Sequence, residues 1–218
     1  MFNIRFPENF KLVLAGPSNC GKSTHAFNLI RAKREIIHNG GEKSVVYCYG
    51  EDQPLFDQIK KEGGIVDLWI NELPSREQIR ELRDQFPDGY ILIIDDLAFN
   101  LSKHIAWLFT IGARHNGASV ILLTQNLFVN DDHYRTVLHN ASHIALFKTM
   151  RTTQIEYFFR TISASKAKSL FGAYVDATRK PYSYFYCDFS PDCLDILRYK
   201  SHILPHEVPT VVYIPQEK

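Results

Sequence analysis

Three features are scarce in this sequence of 218 residues: net charge, paired cysteines and long apolar runs. The formal net charge is +1, so composition neither proposes nor excludes DNA, and any contact with it has to come from a local patch. The cysteines have no C-x-x-C spacing, which indicates neither a zinc site nor a disulfide framework and fits a reducing, intracellular setting. No stretch approaches the ~20 apolar residues that span a bilayer, and the first residues lack the apolar run of a signal peptide, so we expect a soluble protein without a membrane partner.

The most informative stretch that is present is an apolar strand running into G-x-x-x-x-G-K-[ST], the phosphate-binding P-loop or Walker A pattern. The residues predicted to bind ATP are Gly16, Pro17, Ser18, Asn19, Cys20, Gly21, Lys22, Ser23 and Thr24. The glycines let the backbone turn so that N–H groups and the next helix N-terminus point at phosphates. We expect Lys22 to act on the β- and γ-phosphates, Ser23 to bind Mg²⁺, and Cys20 to have a lowered thiol pKa. A glycine-containing turn without function is the alternative.

A second apolar strand begins at Tyr90 and ends in two adjacent carboxylates, Asp95 and Asp96, which is a Walker B pattern. A strand buried on both faces belongs to a parallel sheet, whose carboxyl end opens on the crevice where such sheets bind ligands. We expect Asp95 to hold Mg²⁺ and Asp96 to orient and deprotonate the attacking water. The strand from Ser119 ends at Gln125 on the same edge, where an amide can hydrogen-bond the γ-phosphate or that water. An acidic turn and a polar strand cap are the alternatives.

Helices and strands alternate along the chain, and 45% hydrophobic residues are enough for one sizeable core, so we expect a single α/β domain. The predicted domain covers residues 1–197, and the prolines that follow indicate an extended C-terminal tail over 198–218. Ser75 is a predicted N-cap, residues 153–179 are predicted helical, and alternating aromatics over 182–190 predict the last strand.

Four stretches together resemble one family, and they are residues 16–23 (GPSNCGKS), 47–56 (YCYGEDQPLF), 94–97 (IDDL) and 119–128 (SVILLTQNLF). They are similar to the genome-packaging ATPases of Polinton/Maverick elements, adintoviruses and related DNA viruses, a branch of the FtsK–HerA superfamily that also holds the poxvirus packaging ATPase. Residues 146–148, 173–178 and 181–182 extend the likeness over most of residues 10–190. The P-loop alone is unspecific, whereas the second and fourth stretches are much narrower signals.

The resemblance implies a RecA-like P-loop NTPase of the FtsK–HerA type, in which an extra strand lies between the Walker A and Walker B strands. It also implies a ring of subunits with ATP sites at the interfaces, which moves duplex DNA through a central pore into a preformed capsid. The implied partners are double-stranded DNA, further copies of the chain, and a capsid or portal vertex protein. The implied location is the host nucleus or cytoplasm where virions assemble, or the virion itself.

An arginine that completes the neighbouring subunit's site is implied by the superfamily pattern Ala-Arg-x-x-Gly, which matches residues 113–117 here. Arg114 is therefore the candidate arginine finger, and Arg151, after the last core strand, is the second choice. A solvated residue that interacts with a helix dipole is the alternative for Arg114. Many superfamily members have Glu after the Walker B Asp, so the shorter Asp96 leaves the identity of the base open.

Two functions of other classes compete with a translocating ATPase. A P-loop kinase acting on a small molecule or nucleotide is the first, but kinases of this size usually cover their phosphates with an Arg-rich lid, and none is evident in the sequence. The second is an assembly factor that binds ATP and capsid protein without moving DNA. The pair Asp95 and Asp96, together with Gln125, favours hydrolysis over binding alone.

Overall fold

A computed structural model of the chain describes residues 5–95, 97, 103–127 and 131–217. The strands within these ranges form one sheet and are β1 (Lys11–Ala15), β2 (Ser44–Tyr49), β3 (Leu68–Ile70), β4 (Tyr90–Asp95), β5 (Ala118–Thr124), β6 (His143–Phe147), β7 (Tyr184–Asp188), β8 (Tyr199–Ser201) and β9 (Val211–Val212). The helices are α1 (Lys22–Arg31), α2 (Lys33–Ile36), α3 (Pro54–Glu62), α4 (Arg76–Gln85), α5 (Lys103–Trp107), α6 (Ala113–His115), α7 (Asp132–Asn140), α8 (Thr152–Ile162) and α9 (Ala167–Ala177). A π-helical stretch, Leu108–Gly112, joins α5 to α6.

The strand order across the sheet is β3-β2-β4-β5-β1-β6-β7-β8-β9. From β3 to β6 in this order all neighbours pair in parallel, and β7, β8 and β9 add antiparallel pairs at one edge. Parallel neighbours need crossover connections, and helices supply them here. Strand β5 lies between β1 and β4, which carry the Walker A and Walker B patterns. The extra strand implied by the family resemblance is thereby confirmed.

Helices cover both faces of the central strands. Along β1, Leu12 and Leu14 point to one face, where they share a core with Phe27 of α1 and Phe56 of α3. Val13 points to the other face, whose helical partners include Ile79, Ile105, Val137, Phe159 and Leu170. Because both faces are filled by apolar side chains, the loops at the carboxyl edge of the parallel strands are the natural place for a ligand.

One of the two helix predictions is confirmed and the other is wrong. Ser75 caps α4 as predicted, since its Oγ accepts from the Gln78 N–H (3.2 Å) while the Ser75 N–H donates to Gln78 Oε1 (2.6 Å). The single helix predicted over residues 153–179 is instead two, α8 and α9, because Ser163 adopts an extended backbone after α8. The longest described helices have 11 residues, and none in the described part of the chain is long and apolar enough to cross a membrane.

The region after β7 differs from the extended tail expected over residues 198–218. Two short strands, β8 and β9, continue the sheet there, so the strand predicted over 182–190 is not the last one. Both short strands pack against Phe185 of β7. The Tyr199 ring stacks on the Phe185 ring with 6.0 Å between centroids, and the ring centroid of Tyr213, directly after β9, lies 5.6 Å from that of Phe185. Strands of three and two residues are too short to show an alternating pattern in the sequence.

Candidate nucleotide site

The predicted phosphate loop lies at the carboxyl end of β1, immediately before α1. Gly21 precedes the helix with φ of 97°, a left-handed conformation that favours glycine. A Cβ added to Gly16 would lie 2.7 Å from Phe147 Cβ and 2.8 Å from Cys20 Sγ, so no larger residue fits there without a shift. Steric constraints therefore require glycine at both positions of the motif. The turn between them leads into the first turn of α1, whose backbone N–H groups can bind an anion in the cleft.

Lys22 lies within this loop and is only 8% exposed. Its Nζ donates hydrogen bonds to the carbonyl oxygens of Gly16 (2.8 Å) and Pro17 (2.9 Å). In the part of the chain that the structure describes, it forms no ion pair with a carboxylate. A buried ammonium held by neutral carbonyls is costly unless an anion binds beside it, and phosphate is such an anion.

Asp95, the last residue of β4, is 2% exposed and accepts hydrogen bonds from two different elements. The Ser23 hydroxyl of α1 donates to its Oδ2 at 2.9 Å, and the Tyr47 hydroxyl of β2 donates to the same atom at 2.7 Å. The two residues predicted as Mg²⁺ ligands are thus adjacent. Tyr47 was not predicted to have a role, although it begins one of the family-like stretches, because the sequence does not show that its hydroxyl reaches β4.

Hydroxyl and carboxylate oxygens are hard donors that fit Mg²⁺, which proteins usually bind through one or two carboxylates together with substrate phosphates and water. No group of three or more His, Cys, Asp or Glu that could hold a metal occurs among the described residues. The pair Ser23 and Asp95 therefore suits a Mg²⁺ ion that arrives with a phosphate ligand rather than one held by protein alone.

A cleft of about 930 Å³ opens over the loop. Its walls include the P-loop residues Ser18, Asn19, Gly21, Lys22, Ser23 and Thr24, together with Asp95, Gln125, Gln53, Tyr182 and Glu207. Gln125, which follows β5 and is exposed, is therefore brought to the same cleft as Lys22, as its place at a strand end suggested. Asp96 lies outside the described residues, and its role as the base stays a prediction. Gln53, Tyr182 and Glu207 were not predicted as site residues.

The two candidate arginines lie at opposite ends of the parallel strands. Arg114 is exposed and precedes the amino end of β5, whereas Lys22 follows the carboxyl end of β1, and these two strands are parallel. A strand of five residues is about 16 Å long, so Arg114 does not reach the phosphate loop of its own chain. Arg151 is also exposed but follows β6, at the same edge as the loop. Of these two arginines, Arg114 is the one that could act at a phosphate site only in a neighbouring subunit.

The thiol of Cys20 contradicts the expectation of a lowered pKa. Burial raises the pKa of Cys20, and this outweighs the opposing effect of Lys22, whose Nζ lies 3.9 Å from the Sγ. The sequence shows the neighbouring cation and the helix N-terminus, but it does not show that the thiol is partly buried beside Gly16. Cys20 is therefore a small, half-buried group of the turn rather than an activated nucleophile.

His25 of α1 lines the same cleft from within the core and is 6% exposed. Its Nε2 has no hydrogen-bond partner among the described residues. Burial, with a smaller contribution from the nearby His206, lowers the pKa of His25 to about 3. The imidazole is therefore neutral at physiological pH and adds no positive charge to the phosphate site.

No protein-family model matches the sequence, and no curated protein matches it. Several solved structures, in contrast, resemble the fold of this chain. The genome packaging NTPase B204 from Sulfolobus turreted icosahedral virus 2, in complex with AMP, has a TM-score of 0.56 at 17% identity over 96% of this chain and 98% of its own. The DNA-packaging ATPase B204 from Sulfolobus turreted icosahedral virus has a TM-score of 0.58 at 16% identity over 99% of this chain and 100% of its own.

A more distant likeness extends beyond viruses. The cytoplasmic domain of the type VII secretion ATPase EccC from Thermomonospora curvata has a TM-score of 0.53 at 12% identity, over 95% of this chain and 25% of that one. Sequence identities this low are evidence for a shared fold and not for a shared activity. The chain has the mixed α/β fold of P-loop NTPases, in the form found in viral genome-packaging NTPases.

Proposed function

We propose that this protein is an ATPase that uses hydrolysis to move duplex DNA into the capsid of a virus or virus-like element. The observation that carries the proposal is the buried ammonium of Lys22 beside the oxygen pair of Ser23 and Asp95, in one cleft at the carboxyl edge of the sheet. The fold shared with genome-packaging NTPases supports the packaging role. The family-like stretches of the sequence point the same way.

ATP binding rests on the loop itself. Its backbone N–H groups over residues 16–24 would surround the phosphates, and the Lys22 ammonium would exchange its carbonyl contacts for phosphate oxygens. The exchange is favourable because a cation–anion hydrogen bond is roughly twice as strong as a neutral one. Mg²⁺, when bound, offsets the charge of the phosphates. Ser23 and Asp95 would hold that ion, since their oxygens already lie 2.9 Å apart.

Hydrolysis needs a group that positions and deprotonates water. Asp96 is the proposed base, because in the sequence it directly follows Asp95, the proposed Mg²⁺ ligand. Gln125 lies in the same cleft and would orient the water or the γ-phosphate through its amide. A water-directed base distinguishes an ATPase from a kinase, which excludes water from its site.

The proposed motor is a ring of identical subunits. Arg114 is exposed at the edge of the sheet opposite to its own phosphate loop, so it would serve the site of the next subunit. Duplex DNA would occupy the pore and a capsid or portal vertex protein would receive the ring. The proposed place of action is the site of virion assembly in the host nucleus or cytoplasm, or the virion.

The test is the ATPase rate of the purified protein with and without duplex DNA, measured alongside the mass of the oligomer. We expect Mg²⁺-dependent hydrolysis that DNA stimulates in an oligomeric species. Lys22→Ala should lose ATP binding and turnover while keeping the fold, which circular dichroism checks. Normal turnover in folded Lys22→Ala would remove the site assignment, and phosphate transfer to a small molecule instead of water would favour the kinase.

A further inference from the structure

An exposed tyrosine borders the phosphate loop on the side away from β4. Tyr182 is 70% exposed, and it lines the same cleft as Lys22. A Cβ added to Gly21 would lie 3.3 Å from both Cβ and Cδ1 of Tyr182, so the ring stands directly beside the turn that enters α1. The ring is not a core side chain, because most of its surface faces solvent.

The backbone of Tyr182 is also unusual. Its φ is 64°, in the left-handed region that large side chains rarely occupy and that costs of the order of 1 kcal/mol or more. A tight turn fixes this conformation, since the Ser183 hydroxyl donates to the carbonyl oxygen of Lys180 at 2.6 Å. The turn thus holds a bulky ring at the cleft in a conformation that glycine would adopt without cost.

The cleft contains a carboxylate as well as the Lys22 ammonium, so its charge is not uniform. Glu207 lines the same cleft as Tyr182 and Lys22, and its Oε2 accepts hydrogen bonds from the Tyr184 hydroxyl and from the Leu204 N–H (3.1 Å). A triphosphate is repelled by this carboxylate and attracted by Lys22. The phosphates of a nucleotide are therefore drawn to the loop, which leaves its nucleoside for the rest of the cleft, whose lining includes Tyr182.

We infer that the ring of Tyr182 is the stacking surface for the base of the bound nucleotide, a specificity-determining role that rests on the function proposed above. A flat exposed ring at the mouth of a cleft of about 930 Å³ matches the mixture of aromatic and polar groups that small-molecule sites use. Stacking accepts any base, because every base has a π-face. Tyr182 therefore selects nucleotides over free polyphosphates, and not one base over another by hydrogen bonds.

The test compares two probes in the presence of Mg²⁺: the ATP analogue AMPPCP, and inorganic tripolyphosphate, which has no base. Tyr182→Ala should weaken AMPPCP binding roughly 5- to 100-fold, the range for loss of one base-stacking ring, and leave tripolyphosphate binding unchanged. Tyr182→Phe keeps the ring and should bind AMPPCP within about twofold of the parent. Tyr182→Gly suits the left-handed backbone and keeps the test valid if the alanine variant folds poorly.

Tyr157→Ala is the matched control, since Tyr157 is an exposed tyrosine (58%) on α8 that does not line this cleft. Lys22→Ala separates the two proposals, because it should lose both probes. If the parent protein binds both probes and folded Tyr182→Gly binds AMPPCP as tightly as the parent, the stacking role is wrong while the phosphate site stands. If the parent binds neither probe, the proposed function itself is wrong.

Discussion

The Ser23 hydroxyl donates a hydrogen bond to Asp95 Oδ2 across 2.9 Å, which joins the first turn of α1 to the end of β4, 72 positions later in the chain. The Tyr47 hydroxyl donates to the same oxygen from β2 at 2.7 Å. Asp95 is itself almost fully buried, and two described hydroxyl groups hold it in place. The carboxylate is oriented before any ligand arrives, which reduces the ordering that Mg²⁺ and nucleotide would otherwise have to supply.

This arrangement predicts a role for Tyr47 that is separable from packing. Tyr47→Phe keeps the ring in the aromatic cluster with Phe27, at 4.9 Å between centroids, but removes the hydrogen bond to Asp95. We expect the ATPase rate to fall about 3- to 30-fold and the free energy of unfolding to fall by about 1 kcal/mol. Tyr49→Phe is the matched control, since Tyr49 pairs with Asp95 along the backbone and its hydroxyl makes no described hydrogen bond to that carboxylate. Equal effects of the two substitutions would contradict the orienting role.

The second prediction concerns catalysis across the ring. Asp96→Asn removes the proposed base but keeps volume, so it should bind ATP and hydrolyse it far more slowly. Arg114→Ala should also bind ATP nearly normally yet hydrolyse it poorly, because an arginine finger acting from the neighbour contributes about 10³–10⁵ in rate, roughly 4–7 kcal/mol.

Mixing these two variants provides the decisive comparison. An Arg114→Ala subunit keeps its own base and can receive the finger of an Asp96→Asn neighbour, so mixed rings should regain turnover that neither variant has alone. Arg151→Ala mixed with Asp96→Asn is the parallel experiment for the second candidate. If mixed oligomers form at several ratios and show no activity above the pure variants, Arg114 does not act in trans.

The third prediction concerns the thiol in the loop. Because burial raises the pKa of Cys20, iodoacetamide at neutral pH should label it more slowly than free cysteine, and bound nucleotide should slow the reaction further by covering the loop. Cys193 is the internal comparison, since burial also raises its pKa, to about 11, and it lies outside the cleft. Site-resolved mass spectrometry gives both rates. Fast labelling of Cys20 alone at pH 7 would mean that its pKa is lowered after all.

The fourth prediction is a pH dependence of stability. Burial lowers the pKa of His25 to about 3, so between pH 6.5 and 4.5 the unfolded chain takes up a proton at this position and the folded chain does not. The free energy of unfolding should therefore fall with falling pH, by at most about 1.4 kcal/mol per pH unit from this residue. Urea titrations of His25→Phe should show a shallower decline over this window. Substitution of the exposed His115 is the control, and an unchanged slope in His25→Phe would show that His25 titrates normally.

Much of the fold was predictable because its central strands are short, wholly buried apolar runs that end in polar groups. Tyr90–Asp95 and Ala118–Thr124 are buried throughout, and the motif that precedes α1 is set by the steric needs of two glycines. That one strand lies between the Walker A and Walker B strands came from the family resemblance, and the rest of the strand order was not predicted, since periodicity does not show which strands are neighbours. The break at Ser163 was missed because the residues on both sides of it have helical spacing.

The rest depends on contacts between distant residues. The hydrogen bond from Tyr47 to Asp95 spans 48 positions, and the pKa of Cys20 is set by burial that the neighbouring Lys22 does not indicate. Tyr182 was part of a family-like stretch, but its position beside Gly21 appears only once β7 is placed next to β6. A sequence pattern shows which residues are adjacent in the chain and not which ones share a cleft.

The most direct measurement of the central claim is ATP-driven displacement of a third strand annealed to duplex DNA. A translocating motor should remove the third strand in the presence of ATP and Mg²⁺, and the delay before release should lengthen in proportion to the distance between the entry end and the triplex. Lys22→Ala should release none. ATP hydrolysis by a folded oligomer that leaves the third strand in place at every distance, or release that does not depend on ATP, would contradict the proposal that this protein moves DNA.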